Sequence, residues 1–133
     1  MIRIVCVVLI AGTGLLVVYA EGLYWLAFWN LLPLVLAILA IVRSGDVRPS
    51  LSATTFAGIT TLSVALTHAA WVFDWGGTQT GSSTSGLVFL FSPIYSILLA
   101  TAAWAVTKGI ERLGGRRNAT QQGAPADAGK PRR

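Results

Sequence analysis

Four apolar blocks, each long enough to cross a bilayer and each free of charge in its interior, limit what this chain can fold into. They cover residues 2–20, 23–42, 51–73 and 87–107. A spanning helix takes about 20 apolar residues at roughly 1.5 Å rise each, so each block reads as one span. Lipid offers backbone groups no hydrogen-bond partner, and a helix satisfies all of its own. The expected fold is an all-α integral-membrane four-helix bundle over residues 1–113, with a disordered basic tail over 114–133. Composition agrees, with 54% of the 133 residues hydrophobic and 11% charged, against about 25% charged in soluble domains. The lipid bilayer is therefore the first partner. Nucleic acid is not expected, because much of the positive charge is terminal and no soluble module accompanies it.

The connections are short. Glu21-Gly22 alone separates the first two blocks, and a left-handed glycine there permits a tight helical hairpin. Residues 43–50 contain Gly45, Asp46 and Pro49 and read as a turn. Residues 74–86 are rich in Gly, Ser and Thr and read as a surface loop, with Ser83, Thr84 or Ser85 as a cap for the fourth helix. From Gly114 onward no periodicity remains, so disorder is expected.

The ten Lys and Arg residues sort to one side of a four-span arrangement. Arg3 precedes the first span. Arg43 and Arg48 follow the second. Lys108, Arg112, Arg116, Arg117, Lys130, Arg132 and Arg133 follow the fourth. The other side carries only Glu21 and Asp74. Basic loops stay cytoplasmic, so both termini are expected in the cytoplasm and the chain in a bacterial inner membrane. Arg43, Arg48, Lys108, Arg112, Arg116 and Arg117 are the expected anchors; if the fourth helix continues, Lys108, Arg112 and Arg116 form a basic ridge, each gaining about 1 kcal/mol from anionic headgroups. Tyr19, Tyr24, Trp25, Trp71 and Trp75 would lie at the outer interface and Trp104 at the inner one, where aromatic rings with a polar edge collect. The competing reading is a signal peptide cleaved after Val18-Tyr19-Ala20. Its long apolar stretch and thin basic start weigh against it.

The third span is the least apolar. On a helical wheel it shows an apolar stripe (Ile59, Leu62, Leu66, Phe73), a small and polar stripe (Thr54, Gly58, Thr61, Ala65, His68) and a hydroxyl stripe (Ser52, Thr60, Ser63, Thr67, with Phe56). Small and hydroxylated residues favour helix contact in lipid. This helix is expected to touch two neighbours and show lipid one stripe. Ser92, Ser96, Ala100 and Ala103 suit the fourth helix as a partner. Ala11-Gly12-Thr13-Gly14 offers a close approach on the first. Pro33 and Pro93 should kink their helices and free the carbonyls of Trp29 and Phe89. Static kinks are the expected use.

Chemistry-bearing residues are few. His68 is the one readily titratable side chain within a span, and with Thr61 and Asn30 it forms the candidate polar membrane site. A hydrogen-bonded structural histidine is its ordinary role, and a proton relay its functional one. Glu21, Asp74 and His68 could converge at the outer face, with little in their spacing to require it. Cys6 reads as a small buried hydrophobe. One Cys and one His exclude an intrachain disulfide and a bis-His haem within one chain. No span interior carries the acid that proton-coupled four-helix drug exporters need, and no phosphate loop or Ser/His/Asp set appears. No catalytic residue, cofactor or metal site is expected.

Segment 83–95, Ser-Thr-Ser-Gly and an apolar run ending in Ser92-Pro93-Ile94-Tyr95, resembles a stretch of small four-helix bacterial inner-membrane proteins with no assigned function. Trp29-Asn30-Leu31-Leu32-Pro33 resembles their second helix. The resemblance implies the same small membrane fold and brings no site residues. The expected function is that of a non-enzymatic accessory or interaction protein, in a homo-oligomer or larger membrane complex. The alternative is a small transporter or channel subunit using the polar face of the third helix.

Overall fold

Hydropathy decides where the helices lie, and the length of each connection decides which of them must be neighbours. The structure, a computed structural model, describes residues 2–44, 49–81 and 86–122, with side chains described as far as residue 115. Its elements are α1 (Ile2–Glu21), α2 (Trp25–Arg43), α3 (Leu51–Val72), a 3₁₀ turn (Trp75–Gly77) and α4 (Leu87–Gln122). All four α-helices are long and apolar enough to cross a membrane, and there is no strand among the described residues. The fold is an all-α bundle, consistent with a multi-pass membrane protein.

The helix ends follow from local chemistry. Gly22 takes φ +70°, and its N–H returns to the Val18 carbonyl at 2.9 Å. A side chain at that φ is strained, so glycine is what lets α2 begin three residues later. Ser50 caps α3, its hydroxyl accepting from the Ala53 N–H at 3.2 Å. Asp74 leaves α3 at φ +49°. Its carboxylate then accepts from the Thr80 hydroxyl at 2.6 Å and the Gln79 N–H at 2.8 Å, which ties the turn together.

The fourth helix runs well past its apolar part. Residues 114–122 are helical, where composition alone predicts irregular chain. Gly114 and Gly115 each weaken a helix by about 1 kcal/mol. Extending a helix already nucleated is easy, however, and no proline intervenes before Pro125. Arg116 and Arg117 therefore lie on a helix. The remainder of the tail, 123–133, and Arg48 in the turn lie outside the described residues.

α2 and α3 form the centre, each packed against every other α-helix, while α1 and α4 flank them without packing on each other. α3 thus has three neighbours rather than the expected two. The difference lies in its buried line, Ala53, Ala57, Thr60, Val64 and His68, which runs between the two polar stripes of the wheel. The apolar stripe does face outward, with Leu62, Leu66 and Phe73 exposed. The apolar core is Ile10, Val17, Ala27, Leu34, Ala37, Ile41, Ala57 and Val64, many of them small enough for close helix approach. Ser92, Ser96 and Ala100 are buried, and Ser96 hydrogen-bonds to Ser63 of α3 at 2.9 Å. Pro33 and Pro93 are both buried inside their helices. Beside the second, the Trp29 indole N–H of α2 donates to the Leu90 carbonyl at 2.9 Å.

Candidate functional site

The buried stripe of α1 repeats at helical spacing through Ile10, Thr13 and Val17 and arrives, one turn later, at Glu21. Sequence position alone puts Glu21 in a loop. The structure instead makes it the last residue of α1, its side chain only 5% exposed. α3 runs antiparallel to α2 and brings His68, fully buried, to the same end of the bundle. Glu21 Oε1 and His68 Nε2 lie 2.7 Å apart. The other ring nitrogen, Nδ1, lies 2.8 Å from the Val64 carbonyl one turn earlier in α3. Glu21 Oε2 is buried and has no hydrogen-bond partner.

Aromatic rings close the site from α4. Phe89 tilts against the His68 ring with centroids 5.0 Å apart, and the Trp71 ring meets Phe89 edge-on at 4.8 Å. Such contacts add dispersion and quadrupole attraction and keep water from the imidazole. The third member of the suspected acidic cluster is not part of this arrangement. Asp74 points its carboxylate into its own turn, where the Thr80 hydroxyl first and the Gln79 N–H second hold its pKa below 3.8. No group of three or more metal-ligating side chains forms among the described residues.

The other two members of the sequence-derived site lie apart from the pair. Thr61 turns its hydroxyl onto the Ala57 carbonyl at 2.7 Å and lines a groove between α1 and α3, of about 230 Å³, with Cys6, Ile10, Thr13 and Gly58. Asn30 is buried in α2. Its amide donates to the Leu26 carbonyl at 3.2 Å, and its Oδ1 has no partner. It does not relieve the carbonyl of Trp29.

A second polar cluster holds the opposite, basic end. Glu111 on α4 accepts from the Ser52 N–H and the Ser52 hydroxyl, both at 3.0 Å, and Lys108 lies 3.3 Å from it. The free N–H groups at the start of α3 carry partial positive charge, so a carboxylate from a neighbouring helix serves as a cap. In the sequence Glu111 stands among basic residues and gives no sign of this role. Arg43 and Arg112 are exposed at this end.

No family model, no curated protein and no solved structure matches this chain. Its functional reading therefore rests on its own residues.

Proposed function

We propose that this chain is a non-enzymatic accessory or interaction protein of the bacterial inner membrane, with both termini cytoplasmic. The observation that supports the reading is the groove between α1 and α3. Its walls include Ala57, Gly58 and Ala65, and a Cβ added at Gly58 would meet nothing within 4 Å. Its two hydroxyls are turned onto their own helices, Thr13 to the Leu9 carbonyl at 2.9 Å and Thr61 to the Ala57 carbonyl at 2.7 Å. Such a surface is open to close approach by a helix backbone and turns no free hydroxyl toward a solute. The occupant we infer is a transmembrane helix, from a second copy or a partner, since small residues let backbones approach closely in lipid. The charge distribution supports the orientation.

Gly58→Leu tests this. Its Cβ meets nothing within 4 Å, and its side chain projects into the groove. It should leave helicity and thermal unfolding within error, and it should abolish oligomer or partner capture in cross-linked native membranes. Unchanged capture, or no oligomer or partner for the wild type in several mild detergents, would refute the reading.

A transporter or channel subunit remains the second reading. It draws on the buried and unpartnered Asn30 Oδ1, Thr60 Oγ1 and Ser92 Oγ, which water or a solute would satisfy. Flux in proteoliposomes that falls on His68→Ala or Thr61→Val would favour it.

A further inference from the structure

The two polar contacts of the His68 ring cannot both be hydrogen bonds if a neutral imidazole faces a bare carboxylate. Nδ1 faces the Val64 carbonyl, which can only accept, so Nδ1 must carry a proton. A neutral ring then has a lone pair on Nε2, and the Glu21 carboxylate 2.7 Å away offers only lone pairs in return. Moving the ring proton to Nε2 repairs that contact and sets the Nδ1 lone pair against Val64. One further proton satisfies both contacts. It sits either on Nε2, giving an imidazolium–carboxylate pair, or on Oε1, giving a carboxylic acid that donates to a neutral ring.

We propose that Glu21 and His68 form a proton-binding site at the bundle end opposite the basic residues. The pair takes one proton from the water there as the last turn of α1 docks on α3, and returns it when that turn undocks. This goes beyond the interaction reading and does not depend on it.

Two independent features favour the extra proton. Glu21 is the last residue of α1, so a bare carboxylate there meets the negative end of the helix dipole. Its Oε2 is buried without a partner, and an uncompensated buried anion is costly. Among the described residues, no other ionisable group competes for the ring. α2 carries none between Tyr24 and Arg43, and α3 carries none but His68 itself. α4 presents Phe89 to it, Tyr19 and Tyr24 are exposed, and Asp74 is held by Thr80 and Gln79. Arg3 and Cys6 lie at the far end of α1.

The sign of the pH dependence follows from proton counting. Separated in water, an imidazole holds a second proton only below about pH 6.5, and a carboxyl group holds its proton only below about 4.3. From about 4.3 to 6.5 the docked and undocked states hold equal numbers. Above about 6.5 the docked pair holds one more, so docking weakens as pH rises, by at most about tenfold per pH unit.

The chain has one histidine, so ¹⁵N-imidazole NMR of the full-length protein in lipid nanodiscs reads this site alone. At pH 7.5 we expect a protonated Nδ1. We also expect either a protonated Nε2 or, by infrared spectroscopy, a protonated carboxyl band that Glu21→Gln removes. A neutral ring protonated only on Nε2 would overturn the proposal, as would one protonated only on Nδ1 with no carboxyl band. Glu21→Gln provides the second arm, because its amide donates to a neutral ring and needs no added proton. Its folded-to-unfolded ratio should stay flat between pH 6.5 and 8.5, where that of the wild type falls by up to about tenfold per unit. Equal slopes in the two proteins would also overturn the proposal. Should the variant not fold, the wild-type spectra decide.

Discussion

At the scale of single residues, the polar groups of this bundle fall into two energy classes. Ser63–Ser96 is an ordinary interhelical hydrogen bond, and such bonds in membranes average about 0.6 kcal/mol. Glu21–His68 is a buried hydrogen-bonded pair, and leaving one buried partner unsatisfied costs about 1–3 kcal/mol, more if it is charged. His68→Ala should therefore lower unfolding stability several times more than Ser63→Ala, as measured by reversible unfolding in mixed micelles. Equal effects would mean that the pair is weakly held. Asp74 makes a separate prediction. Its pKa is lowered by the Thr80 hydroxyl and then the Gln79 N–H, so its contribution to the turn is complete above pH 3.8 and is lost as pH falls through the lower folded value. The amide resonances of Gln79 and Thr80 should titrate together with a midpoint below 3.8, and Asp74→Ala should abolish the transition. The sequence carried part of this picture. Antiparallel spans put Glu21 and His68 at one depth, which made their meeting conceivable. Hydropathy does not say which helix lies beside which, so it could not choose between Asp74 and Glu21 as the partner of His68.

At the scale of the elements, α3 is the member on which the others depend, because among the described residues it alone bonds through side chains to both flanking helices. It reaches α1 through His68 and α4 through Ser63 and Ser52. Glu111 matters here as the acceptor for the first turn of α3 rather than as the partner of Lys108, since an exposed ion pair between neighbouring turns is worth little. Glu111→Ala should lower the unfolding temperature and increase amide exchange at Ser52, while Lys108→Ala should do neither. Similar effects of both changes would assign the stabilisation to the ion pair. The lipid-facing stripe of α3 could be read from the wheel because apolar periodicity reports it directly. The line buried against three neighbours could not, because Ala, Thr and Val suit lipid and helix interface alike. The length of α4 was missed for a related reason. Its continuation depends on an established helix propagating, a property the residues 114–122 do not carry by themselves.

At the scale of the whole molecule, four apolar helices are consistent with a multi-pass membrane protein, and the one-sided distribution of basic residues supports the proposed orientation, with the Glu21–His68 end and the basic end of α4 in opposite compartments. The spans follow from hydropathy, and the structure's helices agree with them to within a residue or two except at the end of α4. Orientation depends on insertion energetics across a membrane rather than on contacts within the bundle, so it calls for a measurement in cells. The most direct one removes the native thiol with Cys6→Ser and places a single cysteine at Ser83 or at Ala124, then adds a membrane-impermeant maleimide to intact spheroplasts. Ser83→Cys should label at once and Ala124→Cys only after lysis. Labelling of Ala124→Cys in intact spheroplasts, or protection of Ser83→Cys there, would contradict the four-span arrangement with both ends in the cytoplasm.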